Sequence, residues 1–566
     1  MTRWSIGGYL AGITLCAVAP AQTYFPAPTA PAGNPVTQAK ALLGMALFWE
    51  EQLSSSNTVA CGSCHVFSTG GVDPRAGERQ HPGRDGVYGT PDDVRGAIGV
   101  PQSNASGRYL AAPGFGIEAQ VTTRKAPSVI NAAYQPTLFY DGRAGNGDFR
   151  DPITNQVVLT GDVALENLIK GPPLNTTEMG HVGRSWSDVA NKIANARPLA
   201  LADRVPPRLA TFVGNASTYD ELFAAAYGNG ATATPSRIIM AIATYLRTLV
   251  SDQSPYDRHL AGNPTLNAEE LRGLQVFSTA HGNAAACMQC HGDLHAMSHS
   301  FGPSPMFLTP YGGQNAPNSH NIGIRPVPED QGVGAITTVA TDMGRFRAPG
   351  LRNTDLHGTW FHTGTMSALA DVVEFYDRGG DFHTNQATEI QPRNLSASDK
   401  SALVKFLQTL TDPRVANETA PFDRPRLGSE RGLAPTRFGT SSTGTVGRTP
   451  RAVALEPVSV DTGRTTLAVA NALPNMPAFV MWDTDVVPQG YQYAGVHLYL
   501  GLYQFSATFV GVTQAAGDGS GFASLPIALP NNQTLRGFRF YAQWLLADPA
   551  APSGVVTSDA TELLLH

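Results

Sequence analysis

Two short motifs combine a pair of thiols with an imidazole at a spacing that suits one kind of chemistry. The sequence reads CGSCH at residues 61–65 and CMQCH at residues 287–291. In a c-type haem site the two thiols bond to the haem vinyl groups, and the adjacent histidine ligates the iron. Disulfides or a zinc site would also use cysteines, but neither requires a histidine directly after both pairs. We therefore predict two covalently bound haems c, attached through Cys61, Cys64, Cys287 and Cys290 and ligated by His65 and His291.

Helical segments at equivalent positions lead into both motifs and would position them. A Gly-x-x-apolar-Phe pattern begins at Gly44 before the first motif and at Gly273 before the second. A capping box at residues 267–270 adds a helix start before the second motif. This repeat predicts a mainly α fold with two cytochrome c-like haem domains, at residues 36–255 and 256–422. Apolar periodicity predicts helices at residues 39–53, 236–250, 366–376 and 396–410.

The C-terminal part of the chain has a different pattern. Residues 423–451 are rich in Pro, Gly, Ser, Thr and Arg without periodicity, which predicts a linker. After it, the segments 496–500 and 538–544 alternate as strands do, and the glycine-rich segment 516–521 is typical of a turn. We therefore expect a small all-β, sandwich-like domain at residues 452–566, whose role the sequence does not reveal.

The first residues have the features of an export signal. A short basic start is followed by an apolar stretch and an A-x-A cleavage signal at residues 19–21, so residues 1–21 are predicted to be a signal peptide. A lipoprotein would need Cys16 as its acylated residue, but Leu15 before it is bulkier than such a site prefers. The expected location is periplasmic or secreted.

Charge and hydropathy argue against two classes of partner. The formal net charge is −6 and no basic run stands out, so a nucleic acid is not an expected partner. After the N-terminal signal, no apolar run reaches the roughly 20 residues of a membrane-spanning helix. Small molecules and proteins are the expected partners, and a homodimer is compatible with the sequence.

Further motifs between the predicted helices carry a family resemblance. They read PSVINAA at 127–133, FYDGRA at 139–144, EMG at 178–180, FRAPGLRN at 346–353 and FHTG at 361–364. With the two haem motifs, and in the same order, they resemble those of the bacterial di-haem cytochrome c peroxidases and the related MauG-type enzymes. The resemblance covers roughly residues 39–410. It implies a peroxide-reactive haem at His65 and an electron-relaying haem at His291.

The family implies a removable ligand at the first haem. In members that need reductive activation, a loop histidine occupies the iron in the resting enzyme and leaves it on activation. His81 lies 16 residues after His65, which is the family offset. The resemblance therefore implies this role for His81, whereas an ordinary solvent-exposed loop histidine would explain the same residue.

Peroxide cleavage also needs an acid–base group that moves a proton between the two peroxide oxygens. In the family this group is a glutamate in a Leu-Glu pair before Gly-Pro, a pattern that Glu166 matches here. An insertion at residues 145–163 separates Glu166 from the FYDGRA motif, and Asp148, at the uninserted spacing, is the second candidate. Leu138 occupies a position where the family often has glutamine, so this side of the pocket is expected to be less polar.

The resemblance also suggests the second ligand of the His291 haem. Many peroxidases of the family use a methionine 14 residues after the histidine of the FHTG motif, and here that residue is Tyr376, as in MauG-type enzymes. A phenolate donor favours ferric iron, so a low potential is expected. Met366 is a competing ligand, and an ordinary buried aromatic would also explain Tyr376.

An acidic turn contains three carboxylates, on Asp85, Asp92 and Asp93. Hard oxygen donors on a flexible loop suit calcium, which is the expected ion if one binds here. A solvent-exposed acidic turn would explain the same residues. The family also places a calcium between its haem domains, mostly through backbone oxygens that a sequence does not show.

The motifs and the resemblance favour an exported di-haem oxidoreductase that reduces hydrogen peroxide, or uses it to oxidise a substrate, at the His65 haem. Electrons would come from a small donor protein, a cytochrome c or a cupredoxin, through the His291 haem. Two alternatives stay open: a MauG-like or oxygenase-like enzyme that oxidises a protein or an organic substrate, and a non-catalytic di-haem electron carrier. Tyr376 favours the MauG-like enzyme, and His81 favours the peroxidase.

Overall fold

The computed structural model describes residues 25–291 and 319–566. The predicted signal peptide at residues 1–21, with Cys16, lies outside these residues. In the two described ranges, none of the helices has the length and apolar character needed to cross a membrane.

The first part of the chain, to about residue 255, is mainly helical. Its helices are α1 Gln38–Phe48, α2 Cys61–Cys64, α3 Ala164–Ile169, α4 Trp186–Asn195, α5 Pro207–Val213, α6 Tyr219–Tyr227 and α7 Pro235–Leu246. Its short strands are β1 Ile98–Pro101, β2 Ala119–Val121, β3 Thr137–Leu138, β4 Ala144–Gly145, β5 Phe149–Arg150 and β6 Val157–Leu159. The core lies where α1 meets α6 and α7, around the buried side chains of Leu43, Phe48 and Tyr245.

The second part, to about residue 422, repeats this arrangement on a smaller scale. Its helices are α8 Pro255–Leu260, α9 Ala268–Ser278, α10 Met288–His291, α11 Gly334–Thr337, α12 Leu369–Asp377, α13 Ala397–Gln408 and α14 Pro413–Ala416. Strands β7 Ser319–His320 and β8 Phe346–Arg347 pair with each other. Phe277, Val373 and Phe406 form the core between α9, α12 and α13.

Each part is built on one close crossing of two helices. A Cβ atom on Gly44 in α1 would lie 1.9 Å from the carbonyl oxygen of Ala241 in α7. A Cβ atom on Gly273 in α9 would lie 2.0 Å from the carbonyl oxygen of Ala402 in α13. Glycine in a helix interior costs about 1 kcal/mol relative to alanine, so its use at both crossings follows from the close backbone approach. The repeat predicted from the glycine pattern is confirmed at this level.

The predicted helices are present with small shifts at their ends. The capping box at the start of α9 is confirmed, since the Asn267 side chain accepts a hydrogen bond from the backbone N–H of Glu270. Helix α1 ends at Phe48, earlier than predicted, and a short 3₁₀ turn follows at Glu51–Leu53. The helices expected at 236–250, 366–376 and 396–410 are α7, α12 and α13.

The C-terminal part is rich in strands, as predicted. The strands are β9 Thr436–Phe438, β10 Arg451–Val453, β11 Arg464–Ala472, β12 Pro477–Asp483, β13 Val486–Tyr493, β14 Val496–Leu500, β15 Ser506–Val512, β16 Gln514–Ala515, β17 Gly521–Ala528, β18 Arg539–Ala547 and β19 Val555–Leu564. One sheet has the order β10-β11-β17-β16 and the other β15-β12-β18-β19-β9, while β13 and β14 form a hairpin. Apolar residues of both sheets, among them Leu467, Val480 and Trp544, form one core.

The segment predicted to be a linker, residues 423–451, carries regular structure instead. Helix α15 covers Gly428–Arg431, and β9 pairs with β19 at the edge of the five-stranded sheet. The carboxylate of Glu51 accepts hydrogen bonds from the backbone N–H groups of Gly428 at 2.6 Å and Ser429 at 3.0 Å. A three-residue strand is too short to show periodicity, which explains why composition alone predicted a linker.

The strand-rich part packs against the first helical part. Tyr109 is fully buried in a cluster that includes Val453 and Phe522. The Arg464 guanidinium donates a hydrogen bond to the carbonyl oxygen of Ser55 at 2.9 Å, six residues before Cys61. The two parts therefore share a buried interface next to the first CxxCH motif.

Candidate haem sites

One cavity of about 450 Å³ is shared by the two helical parts. Its wall contains both CxxCH motifs, and it is otherwise largely apolar. None of the four motif cysteines forms a disulfide within the described residues. The motif residues on the wall are Cys61, Cys64, His65, Cys287, Cys290 and His291.

Both motif histidines are held in the same way. Nδ1 of His65 lies 3.1 Å from the carbonyl oxygen of Gly71, and Nδ1 of His291 lies 3.0 Å from that of Pro349. A carbonyl oxygen only accepts, so Nδ1 carries the proton and Nε2 keeps its lone pair for a metal. Burial lowers the pKa of His65 and lowers that of His291 to about 4, so both rings are neutral near pH 7. Neutral imidazole is the form that ligates iron.

The thiols and the wall fit a covalently bound haem. Burial raises the pKa of Cys61 to about 12 and also raises the pKa of Cys287, so these thiols are protonated. Paired thiols, a neutral imidazole with a free nitrogen and an apolar wall are the features that a haem c needs. Both halves of the cavity provide them.

Tyr376, and not Met366, reaches the His291 half of the cavity. Tyr376 lies on α12 and forms part of the cavity wall. The neighbouring Cys287 and Cys290 affect the pKa of its phenol, which burial raises. Met366 lies off the wall, in a backbone bridge with Trp360. Phenolate binding would require a positively charged metal, because burial alone keeps the phenol protonated.

A pair of equivalent contacts joins the two parts between the motifs. The backbone N–H of Lys125 donates a hydrogen bond to the carbonyl oxygen of His362 at 2.7 Å. The backbone N–H of Arg347 donates one to the carbonyl oxygen of Tyr140 at 2.8 Å. The rings of Tyr140 and His362 lie 6.1 Å apart, and the His362 ring stacks on Phe346 at 3.8 Å. Burial lowers the pKa of His362 to about 3, so this ring is neutral.

Comparison with known proteins relates the first helical part, with its CxxCH motif, to a family. The model of the family described as di-haem cytochrome c peroxidase matches residues 38–265. These residues belong to the di-haem cytochrome c peroxidase family. Proteins of this family and their named relatives are enzymes, and the chain is an oxidoreductase of the di-haem peroxidase type.

Relatives in the family cover most of the helical parts. Cytochrome-c peroxidase IdrP1 of Denitromonas iodatirespirans is 25% identical over 405 residues, which is 69% of this chain and 86% of that protein. Methylamine utilization protein MauG of Methylophilus methylotrophus is 26% identical over 383 residues, 67% of this chain and 85% of that protein. A solved MauG-like protein associated with microbial copper homeostasis is 24% identical, covers 70% of this chain and 96% of its own, and has a TM-score of 0.48.

His81, the candidate removable ligand, does not line the cavity. Its backbone pairs with Val94, and its half-buried ring lies 5.7 Å from Phe115. The buried Nδ1 atom has no hydrogen-bond partner among the described residues. In this conformation the His81 ring is not at the iron site of the His65 half.

Glu166, the candidate acid–base residue, also faces away from the cavity. Its fully buried carboxylate binds the Arg247 guanidinium at 2.8 and 2.9 Å and accepts a hydrogen bond from Asn34 at 3.1 Å. Leu165, Leu168 and Ile169 are the residues that α3 contributes to the wall. Helix α3 is turned this way because Arg247, buried at the end of α7, needs an anion.

Asp148, the second candidate, is also not part of the cavity wall. Its side chain is 43% exposed and pairs with Arg150 at 3.2 Å. Leu138, by contrast, does line the cavity, as the sequence predicted, and adds an apolar surface.

The carboxylate that the first part contributes to the described cavity wall is Glu178. Burial raises the pKa of Glu178, while the positive charge of Arg143 opposes this shift. Sequence reasoning did not assign Glu178 a role. Its signal was its place in the EMG motif, directly after the Leu-Glu and Gly-Pro pattern.

The acidic turn does not assemble a calcium site. Asp92 accepts hydrogen bonds from the backbone N–H groups of Arg84 and Asp85, and Asp93 accepts one from Gly89. Within residues 25–291 and 319–566, no three His, Cys, Asp or Glu side chains are arranged to hold a metal ion. The predicted calcium ligands Asp85, Asp92 and Asp93 instead serve the hydrogen bonds of their own turn, which is the alternative that the sequence left open.

Proposed function

We propose that the chain reduces hydrogen peroxide, or uses it to oxidise a substrate, at a haem c attached to Cys61 and Cys64 with His65 as ligand. A second haem c, attached to Cys287 and Cys290 with His291 as ligand, relays electrons to it. The observation that carries this proposal is the shared cavity, whose wall presents two thiol pairs and two neutral, pre-oriented imidazoles. Haem supplies the redox chemistry, and the protein supplies ligation, exclusion of water and proton transfer.

The proposed setting is the periplasm or the cell exterior. The A-x-A signal at residues 19–21 supports export, and covalent haem attachment fits that compartment. The name of the Denitromonas relative, a cytochrome-c peroxidase, supports a small cytochrome c as electron donor. A cupredoxin of similar size and potential is the other donor to test.

Glu178 is the proposed proton-transfer residue of the first site. It is the carboxylate on the wall of this half, and burial raises its pKa, which favours its acting as a proton acceptor and donor. In the proposed reaction the Glu178 carboxylate would accept a proton from one peroxide oxygen and return it to the other, and a haem bound at His65 would supply the redox chemistry.

A second function, oxidation of a protein residue or an organic molecule as in MauG-type enzymes, is favoured by Tyr376. A Tyr-ligated second haem stabilises ferric iron, which suits an enzyme that stores oxidising equivalents better than one that relays electrons from a donor. The position of Tyr376 on the wall and of Met366 off it is the supporting observation.

Steady-state peroxide turnover separates these functions. Reduced cytochrome c and reduced cupredoxin would be supplied as donors, before and after half-reduction of the protein. Turnover with a donor is expected. If no donor supports turnover but the reduced protein binds carbon monoxide, oxidation of a substrate would be favoured. Absence of both would contradict the proposal, because two saturated irons describe an electron carrier.

A further inference from the structure

A bound haem brings two propionate carboxylates into the cavity, and the wall near His65 offers donors that the proposed reaction does not use. We propose that Lys125 and His357 bind a propionate carboxylate of the His65 haem. This inference rests on the proposed attachment of a haem at Cys61 and Cys64, but not on any reaction with peroxide.

Lys125 is a buried amine that lacks a close anion. Lys125 is 4% exposed and forms part of the cavity wall. Among the described residues its side-chain nitrogen has no ion pair or side-chain hydrogen bond. Burial lowers the pKa of Lys125 to about 7, and the charge of Asp73 only partly opposes this shift. An ammonium group in such a place is costly unless an anion accompanies it. A carboxylate inside the cavity would provide that anion.

His357 is a second buried side chain on the same stretch of wall. Its Nε2 atom is buried and has no partner among the described residues, and its side chain also lines the cavity. The ring packs against the loop that follows His65, since a Cβ atom on Gly70 would lie 2.7 Å from the ring. The charge of Lys125 acts on both His357 and His65, so all three side chains belong to one locality.

The other cations of the wall are engaged elsewhere. Arg124 and Arg143 share Asp141, and Arg352 pairs with Asp257. Arg393 donates to the carbonyl oxygen of Ala285 and acts on Cys287 and Cys290, so it lies at the thiol edge of the second site. The propionates lie on the edge of the haem opposite to the vinyl groups that the thiols bind. Lys125 is therefore the cation of the described wall that remains for a carboxylate.

At the equivalent position in the second part, the corresponding pair of side chains forms hydrogen bonds within the protein. Arg347 corresponds to Lys125 by its backbone contact, and Gln135 corresponds to His357 in the matching segment. Arg347 donates to the carbonyl oxygen of Phe139 at 2.9 Å and to the amide oxygen of Gln135. This pair satisfies its donors within the protein, whereas Lys125 and His357 line the cavity without such a side-chain partner. The inference therefore concerns the His65 haem.

The test is the midpoint potential of the His65 haem in the full-length protein with both haems attached. A cation beside the haem favours the reduced state, so Lys125→Met should lower this potential. The expected change is at least tenfold in the redox equilibrium, or roughly 59 mV for a one-electron couple. Lys405→Met removes an exposed cation from α13 and should leave both potentials unchanged.

Resonance Raman spectroscopy provides a second measurement. In Lys125→Arg and His357→Gln the propionate bending band of the His65 haem should shift, while the charge kept in Lys125→Arg should preserve the potential. If Lys125→Met fails to acquire haem, the Raman band positions of Lys125→Arg and His357→Gln are sufficient to test the inference. An unmoved band in both variants, or an unchanged potential in Lys125→Met, would overturn the inference. Loss of peroxide turnover with these shifts intact would contradict the proposed function only.

Discussion

Twelve positions separate Glu166 from Glu178, but the two carboxylates have opposite surroundings. Glu166 is held between Arg247 and Asn34 inside the protein, whereas Glu178 faces the cavity. The Leu-Glu pattern in the sequence identified a helix that borders the site. Which side of that helix faces the site depends on Arg247, which lies 81 residues further along the chain.

Replacing these two carboxylates with amides, one at a time, should show that Glu178 affects the reaction rate and Glu166 affects stability. Glu178→Gln should slow the reaction with peroxide by roughly 10²- to 10⁴-fold, the usual contribution of a positioned proton-transfer group, with both haem spectra preserved. Stopped-flow absorbance after mixing with peroxide measures this rate.

Glu166→Gln is the matched control for that measurement. It should leave the rate unchanged but lower the free energy of unfolding by about 3–5 kcal/mol, because Arg247 then keeps a buried charge without its partner. A slow reaction in Glu166→Gln with a normal rate in Glu178→Gln would return the acid–base role to Glu166.

Tyr376 allows a second residue-scale prediction. The wild-type ferric protein should lack the near-infrared band that a His/Met-ligated haem gives, and Tyr376→Phe should raise the potential of the His291 haem because an anionic donor is lost. Near-infrared spectroscopy and redox titration measure both effects. A His/Met band in the wild type that disappears in Met366→Ala would assign the ligand to Met366.

At the scale of elements, the two helix crossings set the architecture of both haem sites. α1 and α9 each lead into a CxxCH motif, and each is fixed by a glycine in contact with the backbone of a partner helix. The sequence predicted these helices well, because their apolar periodicity and caps are local. It missed β9, since the partner of this strand, β19, lies more than a hundred residues away.

Substitution of the crossing glycines tests this architecture. Gly44→Ala would place a methyl group against the carbonyl of Ala241, and the required separation of α1 and α7 should cost about 1–3 kcal/mol of unfolding free energy. Gly147, which has open space around its position, offers the control, and Gly147→Ala should have little effect. Chemical denaturation followed by haem absorbance measures both. Equal stability of the two variants would show that α1 can move away without cost.

At the scale of the whole molecule, the strand-rich part is docked on the first helical part through buried polar groups. Glu456 lies 1% exposed at this interface, near Tyr109 and Arg464. Lys192 from α4 and Thr466 from β11 also act on it. Burial is the largest influence and raises the pKa of Glu456 to about 7. The docked interface therefore contains a carboxyl group that titrates near neutral pH.

This carboxyl group should make stability depend on pH. The folded protein binds the proton of Glu456 more tightly than the unfolded chain, so its contribution is complete below about pH 4.5 and is lost as pH rises to about 7. Glu456→Gln should flatten the decline of unfolding free energy over this range. Burial also raises the pKa of Glu51 to about 7, so part of the pH dependence of the unfolding free energy should remain in this variant. Denaturation at pH 5, 6, 7 and 8 gives the slopes, and identical slopes in variant and wild type would refute the prediction.

The two helical parts share local backbone features at matching positions. At some matching positions both parts have the same residue in the same left-handed backbone conformation, as Asn131 and Asn353 do with φ of 61° each. At other matching positions the two parts differ, as Tyr140 and His362 do. Identity between the two parts therefore marks positions that their common backbone requires, and difference marks positions at which the two haem sites can differ in chemistry.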